Sequence, residues 1–202
     1  MSKDRRQIQL YLVSCLALII VACTSQDSLL NSERIERTFG SYGVDVIRSS
    51  DQGRVSSLYS GTGDEKITRT FAVVTYSGRT RRAFADEHAR VLAGESIGAV
   101  FKSAGWEIDK FNIFLDEMEI PAKYDLLSDL MRIDLPKFLA MHVYEFVIRK
   151  EGRSFDYATI VELHHPDYLT APDLMAIYGE IVFDDSARSN IDDYVDPAIW
   201  EN

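Results

Sequence analysis

Residues 138–163 read FLAMHVYEFVIRKEGRSFDYATIVEL, and Glu151-Gly152 divides them into two runs rich in aromatic and β-branched residues. Two such runs around a two-residue, glycine-containing link are the strongest short-range signal for a β-hairpin. With the turn at Glu151-Gly152, strand alternation places Tyr144, Phe146 and Ile148 on one face. Phe155, Tyr157, Thr159 and Val161 fall opposite them on that face. Glu162 then lies on the other face, away from Tyr144, Phe146 and His142. Val143, Val147, Ala158 and Ile160 share the Glu162 side, which predicts cover on both faces of the hairpin.

Upstream, the chain keeps alternating between strand and helix signals. NSERIERTFGSYG (31–43) predicts a helix with Ser32 as N-cap, stopped by Gly40 and Gly43. VDVIRSS (44–50) and RVSSLYS (54–60) read as strands around DQG, GTGDEK as a turn, and ITRTFAVVTYS (67–77) as a third strand. RRAFADEHARVLAGESIGAVFKSAG (81–105) predicts two helices joined at Gly94, and WEIDKFNIFLDEMEI (106–120) returns to extended structure. PAKYDLLSDLMRID (121–134) reads as a helix with Pro121 in its first turn, and APDLMAIYGEI (171–181) as a last short helix. Helices segregated among mostly antiparallel strands make the fold class α+β.

The first 22 residues have the layout of an export signal. Lys3, Arg5 and Arg6 precede an apolar run from Ile8 to Val21, too short and wrongly flanked for a stable membrane span. The residues before Cys23 resemble a bacterial lipobox, which implies a lipoprotein acylated at Cys23. Thr24 follows that cysteine where aspartate is absent, and by resemblance to sorted lipoproteins this implies the outer membrane, facing the periplasm. The expected organisation is a signal peptide over 1–22, a tether over 23–32, one α+β domain over 33–183 and an acidic tail over 184–202. From Glu180 onward the chain carries seven acidic residues and one arginine.

The whole chain carries a net charge of −10, and loss of the leader makes it more acidic still. Nucleic acid and anionic membrane surfaces would repel such a surface, so membrane attachment is expected through the lipid alone. Beyond Cys15 and Cys23 there is no cysteine, so no disulfide framework supports the fold.

The chemistry-bearing residues are few. There is no Gly-x-Ser-x-Gly elbow and no phosphate loop, and no cofactor is expected. His88, His142, His164 and His165 lack metal-ligand spacing, and no metal site is expected. His142 reads as a satisfied histidine at the edge of the core, and His88 as one partly buried on its helix. Glu162 stands between Val161 and Leu163, ahead of His164, His165 and Pro166. It reads either as an outward-facing carboxylate with Glu145 as its neighbour, or as one buried because it is paired or used.

The order IERTFGSYGVDVI, ITRTFAVV, AGESIGAVF and DYATIVELHHP, spanning about residues 33–169, resembles chorismate lyase and the related effector-binding domains of some transcription regulators. The resemblance implies that an arginine on an early strand, here Arg69, binds a ligand carboxylate. It implies a backbone contact at Ile97 and a functional carboxylate at Glu162. Because chorismate is a cytoplasmic metabolite and the leader implies export, the leading expectation is a non-catalytic envelope lipoprotein. Its domain would bind a small anionic or aromatic ligand or a protein partner. A structural lipoprotein without a pocket, and an enzyme acting on a small carboxylate through Arg69 and Glu162, are the alternatives.

Overall fold

The computed structural model describes residues 29–78 and 81–179. The leader, Cys23, the tether as far as residue 28 and the acidic tail lie outside them. No helix among the described residues is long and apolar enough to cross a membrane. Among the described residues thirteen elements follow in order. They are α1 (Asn31–Phe39), β1 (Gly43–Ser49), β2 (Gly53–Ser60), a 3-10 turn (Gly63–Glu65), β3 (Ile67–Tyr76) and a second 3-10 turn (Arg81–Phe84). Then come α2 (Ala85–Leu92), α3 (Ile97–Ser103), β4 (Glu107–Ile120), α4 (Asp125–Met131), β5 (Lys137–Lys150), β6 (Arg153–His164) and α5 (Ala171–Tyr178).

The six strands form one antiparallel sheet in the order β1-β2-β3-β6-β5-β4. Two three-strand meanders therefore meet at β3 and β6, and the α2–α3 segment lies in the connection between them. The fold is α+β, as composition and patterning predict. One face packs Phe71, Val73, Leu139, Met141, Val143, Val161 and Leu163 against Leu127 and Met131 of α4. The other carries Val74, Tyr144, Phe146, Tyr157, Ala158 and Ile160 beneath Phe84, Val91, Val100 and Phe101 of the α2–α3 segment. On that second face, at the end near His164, Ile35 of α1 and Leu174 of α5 close over Leu115 and Ala140.

The β5–β6 hairpin turns at Glu151 and Gly152, both at positive φ (52° and 72°), as a primed two-residue turn requires. Near the turn the register is the expected one, with Ile148 opposite Phe155. It then slips. Phe146 pairs with Ala158 and Val147 with Asp156, so Tyr157 has no partner and forms a β-bulge. Beyond the bulge every side chain of β6 changes sides relative to the simple alternation. Val161 goes to the α4 face with Val143, and Ile160 and Glu162 come round to the face of Tyr144 and Phe146.

This overturns the expected placement of Glu162 away from His142, since the two are direct cross-strand partners. The physical reason is packing. The bulge lets both Tyr157 and Ala158 face the α2–α3 layer, where Tyr157 contacts Phe84, Phe101 and Phe146 ring to ring.

Two helix starts also differ from expectation. The first helix begins at Asn31 with Leu30 as N-cap, because the Leu30 N–H is taken by Glu33 Oε2 and the Asn31 side chain is engaged elsewhere. Pro121 precedes α4 rather than lying in its first turn, since the helix begins only at Asp125.

Candidate functional site

Glu162 is 4% exposed on the strand that joins the two meanders. Its Oε1 accepts from Asn31 Nδ2 at 3.2 Å, and the same amide donates to Thr70 Oγ1 at 3.1 Å. Tyr168 donates its hydroxyl to Asn31 Oδ1 at 2.7 Å. Thr70 Oγ1 lies 3.0 Å from His164 Nδ1. Thr70 Oγ1 accepts from Asn31, and the sense of its bond with Nδ1 is set by the tautomer of His164, whose other ring nitrogen is Nε2. That nitrogen lies 3.9 Å from Glu162 Oε2, and neither atom has a hydrogen-bond partner. One amide side chain thus ties the start of α1 to β3, β6 and the loop after β6. It holds Glu162 by one oxygen and leaves the other free.

Glu162 lines a narrow pocket of about 530 Å³, open mouth included, between the sheet and the ends of α1 and α3. Its walls are mostly apolar, with Ala72, Val74, Ile97, Phe146 and Ile160 prominent, and two cations join Glu162 there: Arg54 and Lys110. Arg54 enters through strand geometry. It pairs with Val74 across β2–β3, while Glu162 pairs with Ala72 across β3–β6, so alternation puts all four on one face.

Arg54 is 5% exposed. Its Nη1 donates to the carbonyls of Val91 and Glu95 at 3.0 and 2.8 Å, and its Nε has no partner. No carboxylate pairs with it among the described residues. Burial pushes its pKa down from the usual arginine value, against the opposing influence of Tyr76, Tyr157 and Tyr42.

Lys110 sits half-buried on β4, its ammonium 4.2 Å from the ring centre of Tyr144 and 5.2 Å from that of Tyr178. Burial acts against its charge, but Tyr144, Glu162 and Tyr178 outweigh it and raise its pKa. The neighbouring histidines are held neutral. Burial drops His164 to about 4, helped by Lys110 and Arg34 and opposed by Glu162. His142, stacked between Tyr144 and Tyr178 with Nε2 2.8 Å from Asn112 Oδ1, is pushed to about 2 by burial and by Lys110.

Of the three residues singled out by sequence, Glu162 and Ile97 line this pocket and Arg69 does not. Arg69 is the unpaired residue of a bulge where β2 and β3 shift register. Its guanidinium stacks 3.8 Å from the centre of the Phe39 ring, and its Nε donates to Ser60 Oγ at 2.8 Å. Sequence reasoning passed over Arg54, Lys110 and Asn31. For Arg54 a signal existed: strand parity pairs it with the Val74 face once the β2–β3 register is known. For Asn31, one residue inside a helix start, there was none.

His88 is buried and reaches Tyr157 Oη at 2.9 Å. Among the described residues no three His, Cys, Asp or Glu side chains gather in a way that could hold a metal ion. Neither a scan against protein-family models nor a search of curated proteins returned a match.

What the arrangement can do follows from its charges. Two cations face one carboxylate inside apolar walls, so the pocket interior is net positive within a strongly acidic protein. Such charges are complementary to a small anion, which would complete the coordination of a guanidinium that has only carbonyl partners.

Proposed function

We propose that this protein is a non-catalytic bacterial envelope lipoprotein that binds a small carboxylate-bearing ligand. It is anchored by a lipid on Cys23, facing the periplasm from the outer membrane, and its single domain is of the chorismate lyase kind. The observation that carries the ligand reading is Arg54: a buried guanidinium without a carboxylate partner, in the same pocket as Glu162 and Lys110. A buried unpaired charge is costly, and natural proteins retain one mainly where a ligand or a reaction uses it. The aromatic walls, Tyr144 and Phe146, suit a flat, partly apolar body on that ligand. The free oxygen of Glu162 would accept a hydrogen bond from the ligand's other end.

The fold-family part of the proposal is supported by the six-stranded antiparallel sheet and by the pocket position of Ile97 and Glu162. The arginine of the pocket is Arg54 and not the Arg69 that the resemblance implied. The non-catalytic part rests on the expected export of the chain away from a cytoplasmic substrate.

The test uses benzoate as probe and benzamide as its neutral match, followed by amide NMR of the purified chain. Benzoate should shift the resonances of Ala72, Ile97 and Ile160, and benzamide should shift them little. Arg54→Met should abolish the benzoate response while Arg69→Met keeps it. Absence of any response from these residues to millimolar benzoate, or equal loss in both variants, would overturn the ligand reading.

A further inference from the structure

A second, larger groove of about 1150 Å³ adjoins the pocket, open solvent included. Its walls include Leu29, Lys102, Ile108, Asn112 and Ile177, and it shares two residues with the inner pocket: Leu30 and Lys110. Leu30 is the N-cap of α1 and rests on Gly98 of α3. A methyl group placed at Gly98 would stand 2.9 Å from Leu30 Cδ2, so the absence of a side chain at 98 is what lets Leu30 lie there. Lys110 lies between the rings of Tyr144, which lines the inner pocket, and Tyr178, which lines the groove. Its Nζ is 3.5 Å from Tyr178 Oη, a weak tether.

We propose that the groove is the access vestibule of the pocket, with Leu30 as the movable partition and Lys110 as the cation that meets the ligand's anionic group on its way in. The inference rests on the ligand reading above only in taking the pocket's occupant to be an anion. The partition is built to move at low cost. Leu30 is half-buried and contributes one aliphatic side chain, whereas the helix behind it is held in place by the Asn31 latch, the Glu33–Lys102 ion pair at 2.6 Å and the buried Ile35. Rotating Leu30 away from Gly98 therefore joins the two spaces without unseating α1. Lys110, held between the Tyr144 and Tyr178 rings by π-faces and by their hydroxyls rather than by a carboxylate, can meet a passing anion with its charge still solvated by the rings.

Access can be read without any ligand. A cysteine introduced as Ala72→Cys, on the pocket floor, is treated with methanethiosulfonate reagents bearing either a sulfonate or a trimethylammonium group. The thiolate attacks the sulfenyl sulfur, a mixed disulfide forms and methanesulfinate leaves. The unsubstituted chain supplies the background rate.

The sulfonate reagent should react faster than the ammonium reagent. Lys110→Gln should lower that ratio about thirtyfold, since loss of one unit charge at contact distance in water shifts each of the two oppositely charged reagents about fivefold in opposite directions. Leu30→Ala, and separately Gly98→Ala, should speed both reagents. A ratio unchanged by Lys110→Gln, or rates unchanged by both Leu30→Ala and Gly98→Ala, would overturn the proposal. If Ala72→Cys does not fold, Val44→Cys, half-buried on β1 and lining the same pocket, carries the same measurement. Failure of benzoate to bind would remove the ligand reading and leave these rates untouched, so the two ideas fail separately.

Discussion

Mild acid should destabilise this protein through two histidines that the fold keeps neutral. His164 and His142 are 1% and 0% exposed, and their pKa values fall from the usual 6.5 to about 4 and about 2. Burial is the main cause for both, and Lys110 adds to it. A histidine whose folded pKa is depressed binds its proton in the unfolded chain first. Stability is therefore complete above about pH 6.5 and falls as the pH drops below that value, toward the folded pKa. Between pH 7 and 5 each histidine should cost about 2 kcal/mol, since the unfolded imidazole is almost fully protonated at pH 5 and the folded one is not. Together they give about 4 kcal/mol, a large share of the 5–15 kcal/mol typical of a domain. His165, shifted the same way by burial and by Arg69, adds to the trend.

Urea unfolding followed by circular dichroism at pH 7, 6 and 5 measures this loss directly. His142→Gln and His164→Gln should each remove close to half of the pH dependence, whatever they do to stability at pH 7. A wild-type loss below about 1 kcal/mol over this window would refute the reasoning. So would a pH dependence that survives intact in both variants, because the titrating groups would then lie elsewhere.

Three further outcomes follow from the packing and the leader. Phe146→Ala, removing a ring 3% exposed among Phe101 and Tyr157, should cost roughly 3 to 5 kcal/mol in the same urea assay. Asn31→Ala should cost about 2 to 3 kcal/mol, because it strips Glu162 Oε1 of its donor and leaves the buried Tyr168 hydroxyl without its closest acceptor; a loss under about 0.5 kcal/mol would mean that the latch is not closed in solution. Cys23→Ser should leave the chain unacylated and at precursor length by mass spectrometry, and an unmodified mature N-terminus in the natural protein would count against the anchor.

Much of the fold was legible because its signals are local. The β5–β6 turn could be read from Glu151-Gly152 alone, since both positions need positive φ and a glycine supplies one of them. The two helices around Gly94 and the strand over 67–76 were legible for the same reason. The candidate site was legible only in part. Glu162 drew notice because a carboxylate between Val161 and Leu163 needs an explanation, and Ile97 came from the family resemblance. Arg69 came from the same source, and bulge geometry places it over Phe39 instead.

What alternation could not reveal is a change of parity inside a strand. Nothing in SFDYATIVEL marks where the extra residue goes, because Phe155, Tyr157, Ala158 and Ile160 are all apolar and either phase buries a hydrophobic set. The choice is made by what faces β6. The α2–α3 layer offers Phe84, Phe101 and Trp106, a ring-lined recess that accepts Tyr157, and Tyr157 also answers His88 through its hydroxyl. Filling that recess while keeping the primed turn requires one unpaired residue between Asp156 and Ala158. Its consequence travels five residues along the strand: Glu162, which in the unbulged register would sit under α4, is turned onto the face of Arg54 and Lys110. The polar pocket is thus a product of the aromatic core beside it. Deleting Tyr157 should remove the bulge and empty that recess while Glu162 stays opposite His142, which a structure of that variant would show.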